Sequence, residues 1–230
     1  MFKKYKIEII IFTLAIVLRL ATASVMYSQS DYNYDNFLGN IRNDGYYIIA
    51  ENLINYRVFS YDAIEPILPN SKRTPGYPMM IIASLYIFNS IWLLLIFQII
   101  VSSLLPLLGR KISIEMTNNK KSSNLVAFLL AVEPMGIWLS VKLLNETLFT
   151  FFFLIFILLI FKFIKINKTS ITSLNYKIIT SAGIILAIAT LIKPTTYYFP
   201  VIIILGWLVY RILTKQKLLL KYLFIYLFFC

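Results

Sequence analysis

Histidine is missing from this chain altogether, and cysteine occurs once, at Cys230. With no imidazole and only scattered carboxylates, the usual zinc clusters are excluded, and one thiol rules out an intramolecular disulfide. Charge is scarce: 14% of the 230 residues are charged and only 10 are acidic, against 60% hydrophobic residues and a mean hydropathy of +0.79. No soluble single domain needs that much apolar material for its core. Alternating strand patterns are lacking too. The stretch 148–161 holds Thr150 as its one polar residue, which argues for helices and against a closed membrane barrel.

What is present is a series of apolar runs separated by basic clusters, the grammar of an all-α integral membrane protein. The net charge of +12 comes from lysines beside apolar runs and forms no continuous basic stripe with aromatic platforms, so nucleic acid is not an expected partner. The chain begins with Lys3, Lys4 and Lys6, an apolar run, and Ala21-Thr22-Ala23, which together carry signal-peptide features. Arg19 interrupts that run late and apolar character continues to Met26, so the expectation is an uncleaved first helix.

Four basic clusters orient the chain: Lys3/Lys4/Lys6, Arg110/Lys111/Lys120/Lys121, Lys162/Lys165/Lys168/Lys177 and Arg211/Lys215/Lys217/Lys221. Placing all four in the cytoplasm, with the N-terminus, requires an even number of crossings between consecutive clusters. Stretches 125–139 with 147–161, and 178–192 with 196–210, make two hairpins. The first interval holds three apolar stretches, 7–26, 78–88 and 91–108, which breaks parity. The middle one, roughly 16 Å long as a helix, is too short to span and is expected to be half-inserted. The expectation is about six full crossings with an incipient seventh at 218–229, in a single transmembrane domain covering 1–230 of the cytoplasmic membrane. The last stretch closes at Cys230 with no polar segment after it, the pattern of the front part of a longer architecture.

Residues 28–77 form the long polar segment, expected outside, and hold Asp31, Asp35, Asp44, Glu51, Asp62 and Glu65. A loop of that length is more than a connector. The loop is expected to carry amphipathic helices along the membrane surface, and Tyr46, Ile49, Ala50, Leu53 and Ile54, recurring at helical spacing, mark one of them. Tyr27, Tyr32, Tyr34, Tyr56 and Tyr61 suit interfacial depth.

Asp44 reads in two ways. It is a natural cap for the helix that follows, or a carboxylate that takes a proton from an acceptor hydroxyl at the membrane surface. Lys72 and Arg73 precede Pro75-Gly76-Tyr77-Pro78, a rigid loop-to-helix junction, and offer cations to a phosphate or to lipid headgroups. Lys193 precedes Pro194 at an outer helix end, placed for a donor phosphate, while Lys142 and Glu146 are spaced for a local i,i+4 pair. Arg19 and Glu133 lie deeper and must face the bundle or a wet cavity, as partners of each other or as catalytic groups. The sequons at Asn145 and Asn167 are weak motifs and carry no weight.

Five stretches, taken in order, resemble the polyprenol-dependent glycosyltransferases of the GT-C type, especially the bacterial relatives of protein O-mannosyltransferases and of the lipid A aminoarabinose transferase. They are IVLRLATA at 16–23, DGYYIIAENL at 44–53, RTPGYPMMIIASLY at 73–86, LLNETLFTFF at 143–152 and AGIILAIATLIKPTT at 182–196. The resemblance covers nearly the whole chain. It implies an inverting transfer on the outer face, from a polyprenyl-phosphate sugar to a glycan, lipid or protein acceptor, with membrane lipids as surroundings. It also implies Asp44 as base with Asp35 or Asp31 as alternates, Arg73 beside the site, and Lys193 holding the donor phosphate. Tyr47, Lys72 and Glu146 join them as candidate donor- or substrate-binding residues. No cofactor and no metal are expected. Family members run longer, so the C-terminal part of that architecture is not represented. Two other readings stand beside it: a secondary transporter or flippase using Arg19, Glu133 and Lys193 along a substrate path, and a non-catalytic truncated scaffold.

Overall fold

The computed structural model describes residues 5–41, 45–64, 66–71, 73–167, 173–202 and 205–206. They form helices and no β-strand: α1 Lys6–Ser28, α2 Tyr34–Ile41, α3 Tyr46–Tyr56, α4 Gly76–Phe88, α5 Trp92–Thr117, α6 Lys120–Val132, α7 Pro134–Ser140, α8 Glu146–Asn167, α9 Ser173–Ile192 and a 3-10 turn Pro194–Thr196. Three of these, α1, α5 and α8, are long and apolar enough to cross a membrane, and α6 with α7 makes a fourth if that bent pair is one span. The expected count of six to seven is thus not reached among the described residues. Helix α4 and the stretch Tyr176–Ile192 are apolar but shorter, the stretch 196–210 is described only in part, and 218–229 lies outside the described residues.

Helix α5 is the hub, packing against α1, α6 and α8, while α9 packs along α8. One end of this bundle is tied by ion pairs. Glu8, early in α1, meets Arg110, late in α5, at 2.8 Å, and Arg110 also donates to Asn124, early in α6, at 2.8 Å. Glu115 in α5 meets Lys165 in the last turn of α8 at 2.9 Å. The start of α1, the end of α5, the start of α6 and the end of α8 therefore share one end, where the described parts of the first three basic clusters gather. The other end holds the main core, built by Phe37, Leu38 and Ile41 of α2, Tyr46, Tyr47 and Ala50 of α3, Tyr77 and Ile81 of α4, Leu143 in the segment between α7 and α8, and Leu148 in the first turn of α8.

Local sequence explains the interruptions. Pro134 has no amide hydrogen and pushes the residue before it out of the helical region, so Glu133 is extended (φ −63°, ψ 117°) and the axis bends by 51° between α6 and α7. Glu133 then caps α7, its carboxylate accepting from the amides of Met135 and Gly136. Arg19, 1% exposed, donates to Ser102 Oγ at 2.7 Å, to the Ala15 carbonyl at 2.9 Å and to the Ala131 carbonyl at 3.3 Å. The two charges expected as partners attract each other but make no direct ion pair: Glu133 caps α7, and Arg19 is held by Ser102 and by the carbonyls of Ala15 and Ala131.

Where it is described, the polar segment is built of helices α2 and α3 and the loop that follows them. Helix α3 follows the predicted periodicity at Tyr46, Ile49 and Ala50, which are buried, whereas Ile54 is 40% exposed. Its inner face packs on α4. Asn52 ties α3 to the following loop through the carbonyls of Ser60 at 3.0 Å and Asp62 at 2.9 Å. Helix α2 is a further helix of this segment; Asn33 starts it by accepting from the amides of Asp35 and Asn36.

Candidate functional site

At the end of the bundle away from the ion pairs, a cavity of about 260 Å³ is lined by Tyr46, Arg73, Thr74, Asn145, Glu146, Lys193, Pro194 and Thr195. Four chain segments meet there: the start of α3, the junction before α4, the start of α8 and the end of α9. Helix α9 stops at Lys193 because Pro194 follows, which leaves Lys193 extended (φ −145°, ψ 124°) with its side chain off the helix end. Its Nζ lies 2.9 Å from Glu146 Oε1 and 5.8 Å from the Phe149 ring centroid. Glu146 opens α8, where an acidic residue is favoured by the helix dipole.

Arg73 enters through the junction before α4. Gly76 makes that junction possible: a Cβ there would sit 2.6 Å from the Leu191 carbonyl oxygen, so the first turn of α4 lies directly on the last turn of α9. Thr74 Oγ1 fastens the contact by donating to the Ile192 carbonyl at 2.9 Å. Arg73 then stands over two aromatic rings, 5.3 Å from the Tyr46 centroid and 6.0 Å from that of Tyr61. Tyr61 in turn covers Gly45, whose left-handed backbone (φ +69°) leaves no room for a Cβ, which would fall 2.0 Å from Tyr61 Cε2.

Asn145 is the pivot. Only 1% exposed, it donates from Nδ2 to Tyr46 Oη at 2.5 Å and to the Ile192 carbonyl at 2.9 Å, joining α3, α8 and α9. A buried relay holds it in place. Tyr77 donates to Gln98 Oε1, and Gln98 Nε2 donates to the carbonyls of Lys142 at 2.9 Å and Ser140 at 3.4 Å. The segment between α7 and α8 is further pinned by the Leu143 amide on the Ile41 carbonyl at 2.9 Å.

Of the residues nominated from the sequence, Arg73, Glu146 and Lys193 come together. Glu146 does so by pairing with Lys193, which corrects the expected Lys142–Glu146 helical pair: residues 141–145 are not helical, so the i,i+4 geometry is absent. Lys142 instead lies 5.1 Å from the Trp138 ring centroid, and burial lowers its pKa from the ordinary lysine value. Tyr47 does not face this cavity; it lines a separate one of about 440 Å³ with Glu51, Ile54, Asn55, Leu85, Tyr86 and Asn89. Asp31 and Asp35 are exposed around α2 and line neither cavity. Asp44 and Lys72 lie outside the described residues, and the residue that caps α3 is Gly45. Tyr46, Thr74, Asn145 and Thr195 line the cavity without having been nominated from the sequence. Among the described residues no group of three or more Cys, Asp or Glu side chains gathers as a metal site. No family model, no curated protein and no solved structure matches the chain.

Proposed function

We propose that the chain is a multi-pass transferase of the cytoplasmic membrane, N-terminus inside, which moves a sugar from a polyprenyl-phosphate donor to an acceptor hydroxyl on the outer face with inversion. The observation that carries this reading is the meeting of Arg73, Glu146 and Lys193 around one cavity whose wall includes Tyr46, two residues beyond Asp44. Two cations at the end of apolar helices suit the phosphate of a lipid whose tail stays in the bilayer. Arg73 brings a planar fork of donors and Lys193 a compact charge with donors to spare beyond Glu146. Helix α4 is read as half-inserted, setting the junction at interfacial depth.

The chemistry balances without a cofactor. Asp44 takes the proton of the acceptor hydroxyl as its oxygen bonds to the anomeric carbon. The bond from that carbon to the phosphate oxygen breaks, and polyprenyl phosphate leaves with the added charge held by Arg73 and Lys193. Purified protein incubated with labelled sugar on a polyprenyl-phosphate donor is expected to transfer label, and Asp44→Asn to lose it. Equal transfer by both proteins would remove Asp44 from the role. Transfer by neither would leave the chain a scaffold.

A further inference from the structure

Two acceptors belong to residues in the wall of the cavity. Asn145 Oδ1 and Glu146 Oε2 are buried and, among the described residues, have no hydrogen-bond partner. The amide of Asn145 cannot simply be turned over. Nδ2 faces the Ile192 carbonyl at 2.9 Å, and the reverse orientation would set two carbonyl oxygens against each other. Glu146 Oε1 is held by Lys193 at 2.9 Å, and Oε2 is left without a hydrogen bond among the described residues. Buried acceptors are almost always satisfied by protein or water, so a pair of them on consecutive residues, in the wall of one cavity, marks a place for donor groups, whether of water or of a ligand that displaces it.

The surroundings narrow the class of donor. Lys193 and Arg73 line the same cavity with Glu146 as its one carboxylate, already paired with Lys193, so a metal ion or an ammonium group would find a single acidic ligand beside two cations. A neutral hydroxyl meets no such opposition. Resting on the lipid-phosphate reading above, we infer that Asn145 and Glu146 recognise the hydroxyl groups of a neutral sugar on the donor, while Arg73 and Lys193 take its phosphate. Asn145 and Glu146 are thus specificity residues. The sugar hydroxyls donate to Asn145 Oδ1 and Glu146 Oε2, and no covalent step involves either side chain.

The test is a comparison of affinities in nanodiscs for four probes: bare polyprenyl phosphate, the same lipid carrying glucose, carrying mannose, and carrying glucosamine. Wild type is expected to bind at least one neutral hexose lipid about tenfold or more tightly than the bare lipid, and more tightly than the glucosamine lipid. Glu146→Gln keeps the side chain's shape and the Lys193 contact but turns the unpaired acceptor into a donor. Its ratio of hexose-lipid to bare-lipid affinity should fall toward one, and Asn145→Ala should do the same. Equal wild-type affinity for the bare and hexose-bearing lipids, an unchanged ratio in Glu146→Gln, or a preference for glucosamine would overturn the inference and leave the lipid-phosphate reading standing. Wild type binding none of the four would remove that reading, and the inference with it.

Discussion

Replacing Gly76 by alanine is expected to loosen the junction that brings Arg73 to Lys193. The new Cβ would lie 2.6 Å from the Leu191 carbonyl oxygen, 2.8 Å from its carbon and 3.0 Å from the Ile192 nitrogen, where ordinary contact begins near 3.4 Å. All three atoms are backbone, so no side chain can swing aside, and α4 and α9 must part by about 0.8 Å, the shortfall from 2.6 to 3.4 Å. Overpacking of that kind costs ~1–3 kcal/mol. Gly76 is the first residue of α4, where alanine's mid-helix advantage of ~0.5–1 kcal/mol is not fully returned, so the net loss stays within about 1–3 kcal/mol. Gly39 provides the control: it lies within α2 with nothing within 4 Å of an added Cβ, so Gly39→Ala should stabilise by ~0.5–1 kcal/mol. Equilibrium unfolding in mixed SDS and phospholipid micelles measures both variants. Equal shifts, or a Gly76→Ala protein as stable as wild type, would refute the close approach of α4 and α9.

The remaining predictions concern single contacts. A double-mutant cycle on Glu146 and Lys193, whose side chains are 28% and 29% exposed, should give a coupling of only about 1 kcal/mol, because solvent screens the pair; a coupling near zero would separate them. Arg19→Met should lower unfolding stability by about 1–2 kcal/mol, since it removes the donors to Ser102 and the Ala131 carbonyl; an unchanged unfolding midpoint would show that the break in α6 does not depend on Arg19. Glu133→Ala should cost about 1 kcal/mol through the lost cap of α7, with Glu133→Asp costing less in the same assay. Arg73→Lys retains the charge but gives up the fork and much of the stacking on Tyr46, so binding of polyprenyl phosphate should weaken several-fold, and further in Arg73→Ala.

The helical framework is legible in the sequence because its causes are local. Apolar runs bounded by basic clusters mark α1, α5 and α8, and the periodicity of Tyr46, Ile49 and Ala50 marks α3. The stops are equally local: Pro134 and Pro194 each push the preceding residue into extended backbone. The pairing of charges is not local. Glu146 stands four residues from Lys142, and helical spacing suggests that pair, but the chain leaves the helix at Val141 and turns Glu146 toward a lysine on the end of another helix. Asn145 carries no signal beyond a weak sequon, since its importance lies in contacts with Tyr46 and Ile192, distant along the chain. Gln98 is likewise a single polar residue in an apolar run, and only the packed bundle reveals that it holds the segment before Asn145.

The most direct test of the site is where a lipid phosphate sits. Photoactivated crosslinking with a polyprenyl-phosphate probe carrying a diazirine next to its phosphate should label peptides containing Arg73 and Lys193. Bare polyprenyl phosphate in excess should suppress that label, and Arg73→Ala with Lys193→Ala should abolish it. Label confined to the opposite end of the bundle, around Arg110 and Lys165, would contradict the account.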